Sequence, residues 1–256
     1  MKLPIQLTLL TGLLCGILFN VSPASPVQAG YADQPPPLSG WTHPTPYGSG
    51  APFHDTSDRH GINLGNAPII RSAPVIAEID DNPASKEVAI VTSDGFLHAR
   101  RSDGNQLWNP VQLLPNQCPI PANDAVGNSN PVVGQLLSDG VSYIVVGYGT
   151  ILPSDCDGGI VAVNGRTGQI AWRFSLRQWQ QQQGYPPENL YGVVSSIALA
   201  DTDSDGKLEI AFGGLDRNLY LLSAVTSTTY TVRWYYQAAD TIWSTPIFYN
   251  IDSDPQ

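Results

Sequence analysis

Residues 201–210, DTDSDGKLEI, carry three aspartates and one glutamate, with a single lysine to offset them. Carboxylates this close together repel one another unless a cation, backbone donors or solvent neutralises them. The alternate spacing places Asp201, Asp203, Asp205 and Glu209 on one side of a tight loop, where the carbonyl of Lys207 can add a further oxygen. Ca²⁺ takes about six to eight hard oxygen ligands at flexible geometry. We therefore predict a calcium site formed by Asp201, Asp203, Asp205, Lys207 and Glu209.

This acidic stretch has two alternatives to the predicted calcium site. An EF-hand loop begins in a similar way, but it needs a bidentate acid at its twelfth position, where this sequence has Phe212. A solvated acidic turn, whose aspartates cap backbone amides, is the simpler alternative. Such a turn accounts for one or two aspartates more readily than for four carboxylates.

The acidic stretch belongs to a unit that recurs along the chain. Four similar openings, RSAPVIAEIDDN, NSNPVVGQLLSD, VSSIALADTDSD and WSTPIFYNIDSD, align on Ser72, Ser129, Ser195 and Ser244. The first three openings are followed by a second and a third run rich in β-branched residues. A fourth run then ends on tryptophan, at Trp108, Trp172 or Trp234. Each complete unit therefore predicts four short strands.

Four short strands in a repeat of roughly fifty residues, separated by Asp-Gly or Gly-Gly turns, are typical of a β-propeller blade. A β-sandwich also accepts short antiparallel strands, but it does not require the same opening and the same closing tryptophan in every unit. The predicted fold class is all-β: a β-propeller of about three complete four-stranded blades plus one strand, within residues 69–256. The units start near residues 72, 129, 195 and 244.

Three blades and one strand form an incomplete ring, because propellers usually have about four to eight blades. We expect the chain to be a fragment of a longer protein. The alternatives are closure by strands from residues 41–70 and assembly with another chain.

The repeats resemble two known families. The third unit, SSIALADTDSDGKLEIAFGGLDRNLYLLSA, resembles the FG-GAP or VCBS-type repeat of integrin-α-like propellers. That resemblance implies a calcium loop between the first two strands of a blade, with Glu209 as the last ligand at the start of the next strand. The stretch GGIVAVNGRTGQIAW is similar to the tryptophan motif of PQQ-type quinoprotein propellers, with Asn164 where aspartate is usual. This second resemblance implies that Trp108, Trp172 and Trp234 pack against the following blade.

The remaining units repeat the acidic loop less completely. In the first unit, Glu78, Asp80 and Asn82 occupy the corresponding places and Glu87 starts the next strand, which makes this loop a weaker candidate for a metal. In the second unit the corresponding stretch, QLLSDG, has lost the alternating acids, and we expect no metal there.

The start of the chain has the pattern of an export signal. Lys2 is followed by an apolar run and then by VQA before Gly30, which predicts a signal peptide over residues 1–29 with cleavage after Ala29. A retained anchor is the alternative, but the run is short and interrupted for a spanning helix. We expect no membrane span after cleavage, a proline- and glycine-rich extension over residues 30–68, and a secreted, periplasmic or cell-envelope protein.

Cys118 and Cys156 remain once the leader is removed. In an exported chain an even pair is most simply a disulfide. The alternative is two thiols too far apart to meet.

Charge and composition narrow the function. The formal net charge of -10 disfavours binding to nucleic acid, because the phosphate backbone is also negatively charged. No set of nucleophile, base and orienting acid is recognisable, so we do not expect an enzyme. The sequence favours an exported, non-catalytic, calcium-stabilised module that binds a protein or glycan partner. The alternative is a fragment of a PQQ-dependent quinoprotein-like dehydrogenase; PQQ is not expected, since three blades cannot enclose it and no adjacent cysteine pair is present.

Overall fold

The runs rich in β-branched residues form the strands of three separate four-stranded sheets. The computed structural model describes residues 71–115, 126–186 and 189–251, all within the unit Pro37–Gln256. The predicted signal peptide 1–29, the extension 30–68 and Cys118 lie outside the described residues, so the export and disulfide predictions stay predictions.

Each sheet uses four consecutive strands, paired antiparallel in chain order, and we call the sheets blades 1, 2 and 3. Blade 1 contains β1 (Val75–Ala77), β2 (Glu87–Val91), β3 (Phe96–Arg100) and β4 (Val111–Gln112). Blade 2 contains β5 (Val132–Gly134), β6 (Tyr143–Tyr148), β7 (Gly159–Asn164) and β8 (Ile170–Ser175). Blade 3 contains β9 (Ala198–Ala200), β10 (Glu209–Gly213), β11 (Asn218–Thr226) and β12 (Thr229–Gln237).

Apolar cores lie between successive blades. Every residue of β6 is buried, because successive side chains of a strand point to opposite faces and both faces of blade 2 are covered. Ile144 and Val146 belong to the core shared with blade 1, whereas Tyr143 and Val145 belong to the core shared with blade 3. This two-sided burial explains why the second run of the unit is continuously apolar.

The first strands of the three blades are neighbours. β5 contacts β1 on one side and β9 on the other, and side chains near their starts join the blades. The amide of Asn130 accepts from Ala73 N at 2.6 Å and donates to Ser196 Oγ at 2.6 Å. Ser129 Oγ donates to Ser195 O at 2.8 Å. Four-stranded meanders placed side by side through their first strands are propeller blades, and the described blades form no closed ring.

Two details differ from the expected strands. The sequence predicts that the fourth strand of blade 1 ends at Trp108, but β4 is Val111–Gln112. Trp108 instead donates from Nε1 to Gly165 O of blade 2 at 2.9 Å. The extra strand predicted after Ser244 is absent from residues 243–251, because a first strand needs the second strand of its own unit as a partner.

The glutamine-rich stretch between blades 2 and 3 forms helix α1 (Leu176–Gln182). Ser175 caps it, with its side chain accepting from Gln178 N at 3.0 Å. Leu176 and Gln180 are its buried residues, and Gln180 reaches Asp216 of blade 3 at 3.3 Å. Among the described residues, no helix is long and apolar enough to cross a membrane.

Candidate metal site

The acidic loop joins β9 to β10, as the order of the strands predicts. Its reversal uses Ser204 and Gly206, with φ angles of 60° and 81°. Asp201 accepts hydrogen bonds from Asp205 N at 3.2 Å and from Gly206 N at 2.9 Å. Asp201 therefore caps backbone amides of the turn, as the aspartates of a solvated acidic turn do, and Asp205 and Glu209 also accept from backbone N–H groups of the loop.

Three of the four predicted acidic ligands lie together. Asp201, Asp203 and Glu209 each offer a carboxylate oxygen, and these oxygens lie within 4.8 Å of one another. Asp205 is not in this group: its carboxylate accepts from Lys207 Nζ at 2.8 Å and from Lys207 N at 2.9 Å. These bonds lower the pKa of Asp205, and the same carboxylate raises the pKa of Lys207.

Glu209 is held by its neighbours inside blade 3. It is the first residue of β10 and only 2% exposed. Its carboxylate accepts from Thr202 N at 2.8 Å, from Thr202 Oγ1 at 2.7 Å and from Ser223 Oγ at 3.1 Å. A buried carboxylate is costly unless hydrogen bonds and a cation compensate it.

Arg233 is a member of the site that the loop sequence does not reveal. It lies on β12, and its Nη1 is 2.8 Å from Asp203 Oδ2 and 3.9 Å from Glu209 Oε1. The hydrogen bond to Asp203 raises the pKa of Arg233. Four carboxylates against the two cations Lys207 and Arg233 leave two negative charges, which is the charge a divalent ion would neutralise.

Blade 1 contains a closely similar arrangement. Glu78, Asp80 and Glu87 also offer oxygens within 4.8 Å of one another. Ile79 N donates to Glu87 Oε2 at 2.9 Å, as Thr202 N does to Glu209. Both oxygens of Glu78 are buried and accept no hydrogen bond within the described residues, although Lys86 Nζ lies 3.8 Å away. The weaker candidate loop thus brings three acids together in the same way.

In blade 2, a tyrosine and an aspartate occupy the first hairpin in place of the acidic cluster. Tyr143 is the first residue of β6, where the other blades have Glu87 and Glu209. Its hydroxyl donates to Asp139 Oδ2 at 2.9 Å. Burial, and then this hydrogen bond, raise the pKa of Tyr143 to about 12. A phenol–carboxylate hydrogen bond closes this hairpin.

The donor set of the loop suits a hard cation. Its converging atoms are carboxylate oxygens of Asp201 and Asp203 in the loop after β9 and of Glu209 at the start of β10. Oxygen ligands of this kind fit Ca²⁺. An ion held there would contact both strands of the hairpin.

Comparisons with known proteins do not identify a family. No protein-family model matches the chain, and no curated protein matches its sequence. A crystal structure of BBS1N in complex with ARL6DN, soaked with lead, is similar over 72% of this chain and 47% of that chain, with 16% identity and a TM-score of 0.39. The quinohemoprotein alcohol dehydrogenase from Comamonas testosteroni is similar over 59% of this chain and 34% of that chain, with 12% identity and a TM-score of 0.32.

This chain spans less than half the length of either structure. Likenesses this weak do not show a family, an activity or a partner. The FG-GAP or VCBS assignment therefore stays a prediction, and the blade architecture rests on the sheets themselves.

Proposed function

We propose that this chain is an exported, non-catalytic β-propeller module, stabilised by Ca²⁺ at the loop 201–209, that binds a protein or glycan partner. The observation that carries the proposal is the convergence of Asp201, Asp203 and Glu209 within 4.8 Å, with Glu209 buried. The signal-peptide pattern of residues 1–29 supports export.

Calcium would act by joining the two strands of one hairpin. Asp201 follows β9 and Glu209 begins β10, so one ion would tie the ends of both strands to the loop between them. Extracellular calcium modules have dissociation constants of roughly 10⁻⁴ to 10⁻³ M. At about 10 mM Ca²⁺ such a site would raise the free energy of unfolding by about 1.4 to 2.7 kcal/mol.

The test compares two aspartates of the same loop. We expect Asp203→Asn to abolish the heat of Ca²⁺ binding and the calcium-dependent rise in melting temperature. We expect Asp205→Asn to keep both, because Asp205 is paired with Lys207 and lies outside the converging group. Isothermal titration with Ca²⁺ measures the heat of binding. Thermal unfolding with and without millimolar Ca²⁺ measures the rise in melting temperature.

Four results bear on the proposal. A wild-type protein that shows no binding at millimolar Ca²⁺ overturns the calcium site. Equal losses in the two variants would mean that the loop binds through the four acids predicted from the sequence. The number of Ca²⁺ ions bound per wild-type chain shows whether Glu78, Asp80 and Glu87 bind a second ion. Reduction of a dye by alcohols after reconstitution with PQQ and Ca²⁺ would overturn the non-catalytic assignment.

A further inference from the structure

A cleft of about 540 Å³ opens at the end of β10 opposite to the acidic loop. It lies between blades 2 and 3, and four connecting segments and α1 line it. The lining residues are Asp155, Arg177, Asn189, Leu190, Leu215, Arg217 and Thr241. Its volume lies in the range of small-molecule sites, about 300 to 1,000 Å³.

Arg217 has a backbone conformation that favours glycine. It lies in the β10–β11 turn with a φ of 69°. Blade 1 has Gly95 at the corresponding place of its β2–β3 turn, with a φ of 82°. The two turns match: Gly95 N donates to Thr92 O, and Arg217 N donates to Gly214 O. Glycine adopts this conformation at little cost, whereas a residue with a side chain is strained there.

Strained residues cluster at functional sites, where the side chain is needed despite its backbone. The turn of blade 3 would be formed more easily by glycine, and the Arg217 side chain lines the cleft. At this turn, arginine in the place of glycine adds a guanidinium to the lining of the cleft.

Arg177 brings a second guanidinium to the same cleft. It lies on α1, its side chain donates to Asp155 O, and its guanidinium lies 5.7 Å from the ring centre of Tyr191. These contacts fix the side chain in place, so less conformational entropy is lost when a ligand binds. The whole chain has 12 lysines and arginines against 22 acids, and two of those 12 meet here. The lining holds these two arginines and one acid, Asp155, whose Oδ1 lies 3.8 Å from Arg177 Nη2, so the cleft carries a net positive charge on an acidic protein.

The remaining lining residues narrow the class of anion. The planar guanidinium of arginine can donate two parallel hydrogen bonds to a carboxylate or a phosphate. Asp155 also lines the cleft, and its carboxylate disfavours a doubly charged phosphate while it can accept hydrogen bonds from hydroxyl groups. Asn189 and Thr241 add an amide and a hydroxyl. These groups suit a ligand that carries one carboxylate and several hydroxyls.

We propose that the cleft binds a uronic acid residue of an acidic glycan, with Arg177 and Arg217 on its carboxylate and Asp155 and Asn189 on its hydroxyls. This assignment rests on the proposed binding function and names the glycan class. An acidic peptide offers carboxylates too, but it lacks the hydroxyl groups that Asp155 and Asn189 match.

The experiment titrates the whole protein with galacturonate oligosaccharides by calorimetry at one fixed Ca²⁺ concentration. We expect binding of the uronides and at least tenfold weaker binding of the corresponding galactose oligosaccharides. Arg217→Gly should weaken uronide binding at least tenfold without lowering the melting temperature, because glycine fits the turn. Arg101→Ala, which removes one positive charge in blade 1, is the matched control and should bind like the wild type.

Several results overturn the inference: equal affinity for galactose oligosaccharides, unchanged uronide binding in Arg217→Gly, or tighter binding of inorganic phosphate. Tighter binding of a peptide rich in aspartate and glutamate overturns the glycan assignment. The calcium proposal and the glycan proposal are tested independently of each other. Asp203→Asn should keep uronide binding and Arg217→Gly should keep calcium binding, so a loss confined to one ligand identifies which proposal is wrong.

Discussion

The first residue of the second strand decides how each blade closes its first hairpin. Glu87 and Glu209 accept a backbone N–H from the loop before them. Tyr143, at the same place in blade 2, donates to Asp139 instead. The side chain at this position therefore determines whether the hairpin carries a cluster of acids or a single phenol–carboxylate hydrogen bond.

At this residue scale we predict that Tyr143→Phe lowers the free energy of unfolding by about 1 kcal/mol at pH 7, the usual net value of one hydrogen bond. The pKa of Tyr143 is about 12 when folded and about 10 in the unfolded chain. The folded protein therefore holds more protons between these values, and stability falls as pH rises from about 10 to 12.

The Tyr143→Phe variant lacks this titrating phenol, so its stability should fall less than that of the wild type between about pH 10 and 12. Urea unfolding at pH 7, 10 and 11 measures it, with Tyr236→Phe at an exposed tyrosine as the control. A variant as sensitive to alkali as the wild type would contradict the raised pKa of Tyr143.

At the scale of elements, an aligned serine ties the segment before β9 to the end of β10 in blade 3. Ser195 is 1% exposed. Its hydroxyl donates to Gly213 O at 2.9 Å and accepts from Gly213 N at 3.1 Å. Ser72 makes a related contact in blade 1, where it accepts from Val91 N at 3.4 Å. The repeated serine therefore has a structural role.

We predict that Ser195→Ala costs about 1 to 3 kcal/mol, because a buried pair of hydrogen bonds is lost without replacement. Ser138→Ala, at an exposed position, should stay within about 0.5 kcal/mol of the wild type. Equilibrium unfolding in denaturant measures both. Similar small effects in the two variants would show that the Ser195 bonds contribute little.

The strands are largely predictable from the sequence, and their partners across the fold are not. Every described strand except β4 overlaps a run marked by β-branched residues and turns, since these properties are local. Arg233 joins the acidic loop only through the pairing of β11 with β12, and no local pattern marks it. The sequence does not mark Arg217 either, because a positive φ is a property of the folded turn.

At the scale of the whole molecule, two tryptophans at equivalent positions differ in solvent exposure. Trp172 pairs with Ala162 on β7, and Trp234 pairs with Leu221 at the same place on β11. Trp172 is 5% exposed and packs on Tyr230 of blade 3 at a centroid distance of 5.1 Å. Trp234 is 46% exposed. The prediction that the tryptophans pack against the next blade is confirmed for Trp172 and for Trp108, which contacts Gly165 of blade 2. Trp234 has no following blade among the described residues.

We predict that Trp172→Ala lowers the free energy of unfolding by about 3 to 5 kcal/mol, as usual for a large core aromatic. Trp234→Ala should cost less than half as much, because its side chain is already half in solvent. Denaturant unfolding of the two variants makes the comparison. An equal cost would mean that the exposed face of blade 3 is covered in solution.

The hairpin of blade 2 has a consequence for the ion proposed in blade 3. A phenol and one carboxylate are enough to close that hairpin, so the backbone plan does not depend on a cation. If the proposed ion left blade 3, the hydrogen bonds from Thr202 and Ser223 and the nearby Arg233 would still compensate Glu209. The hairpin would then be weakened and not lost.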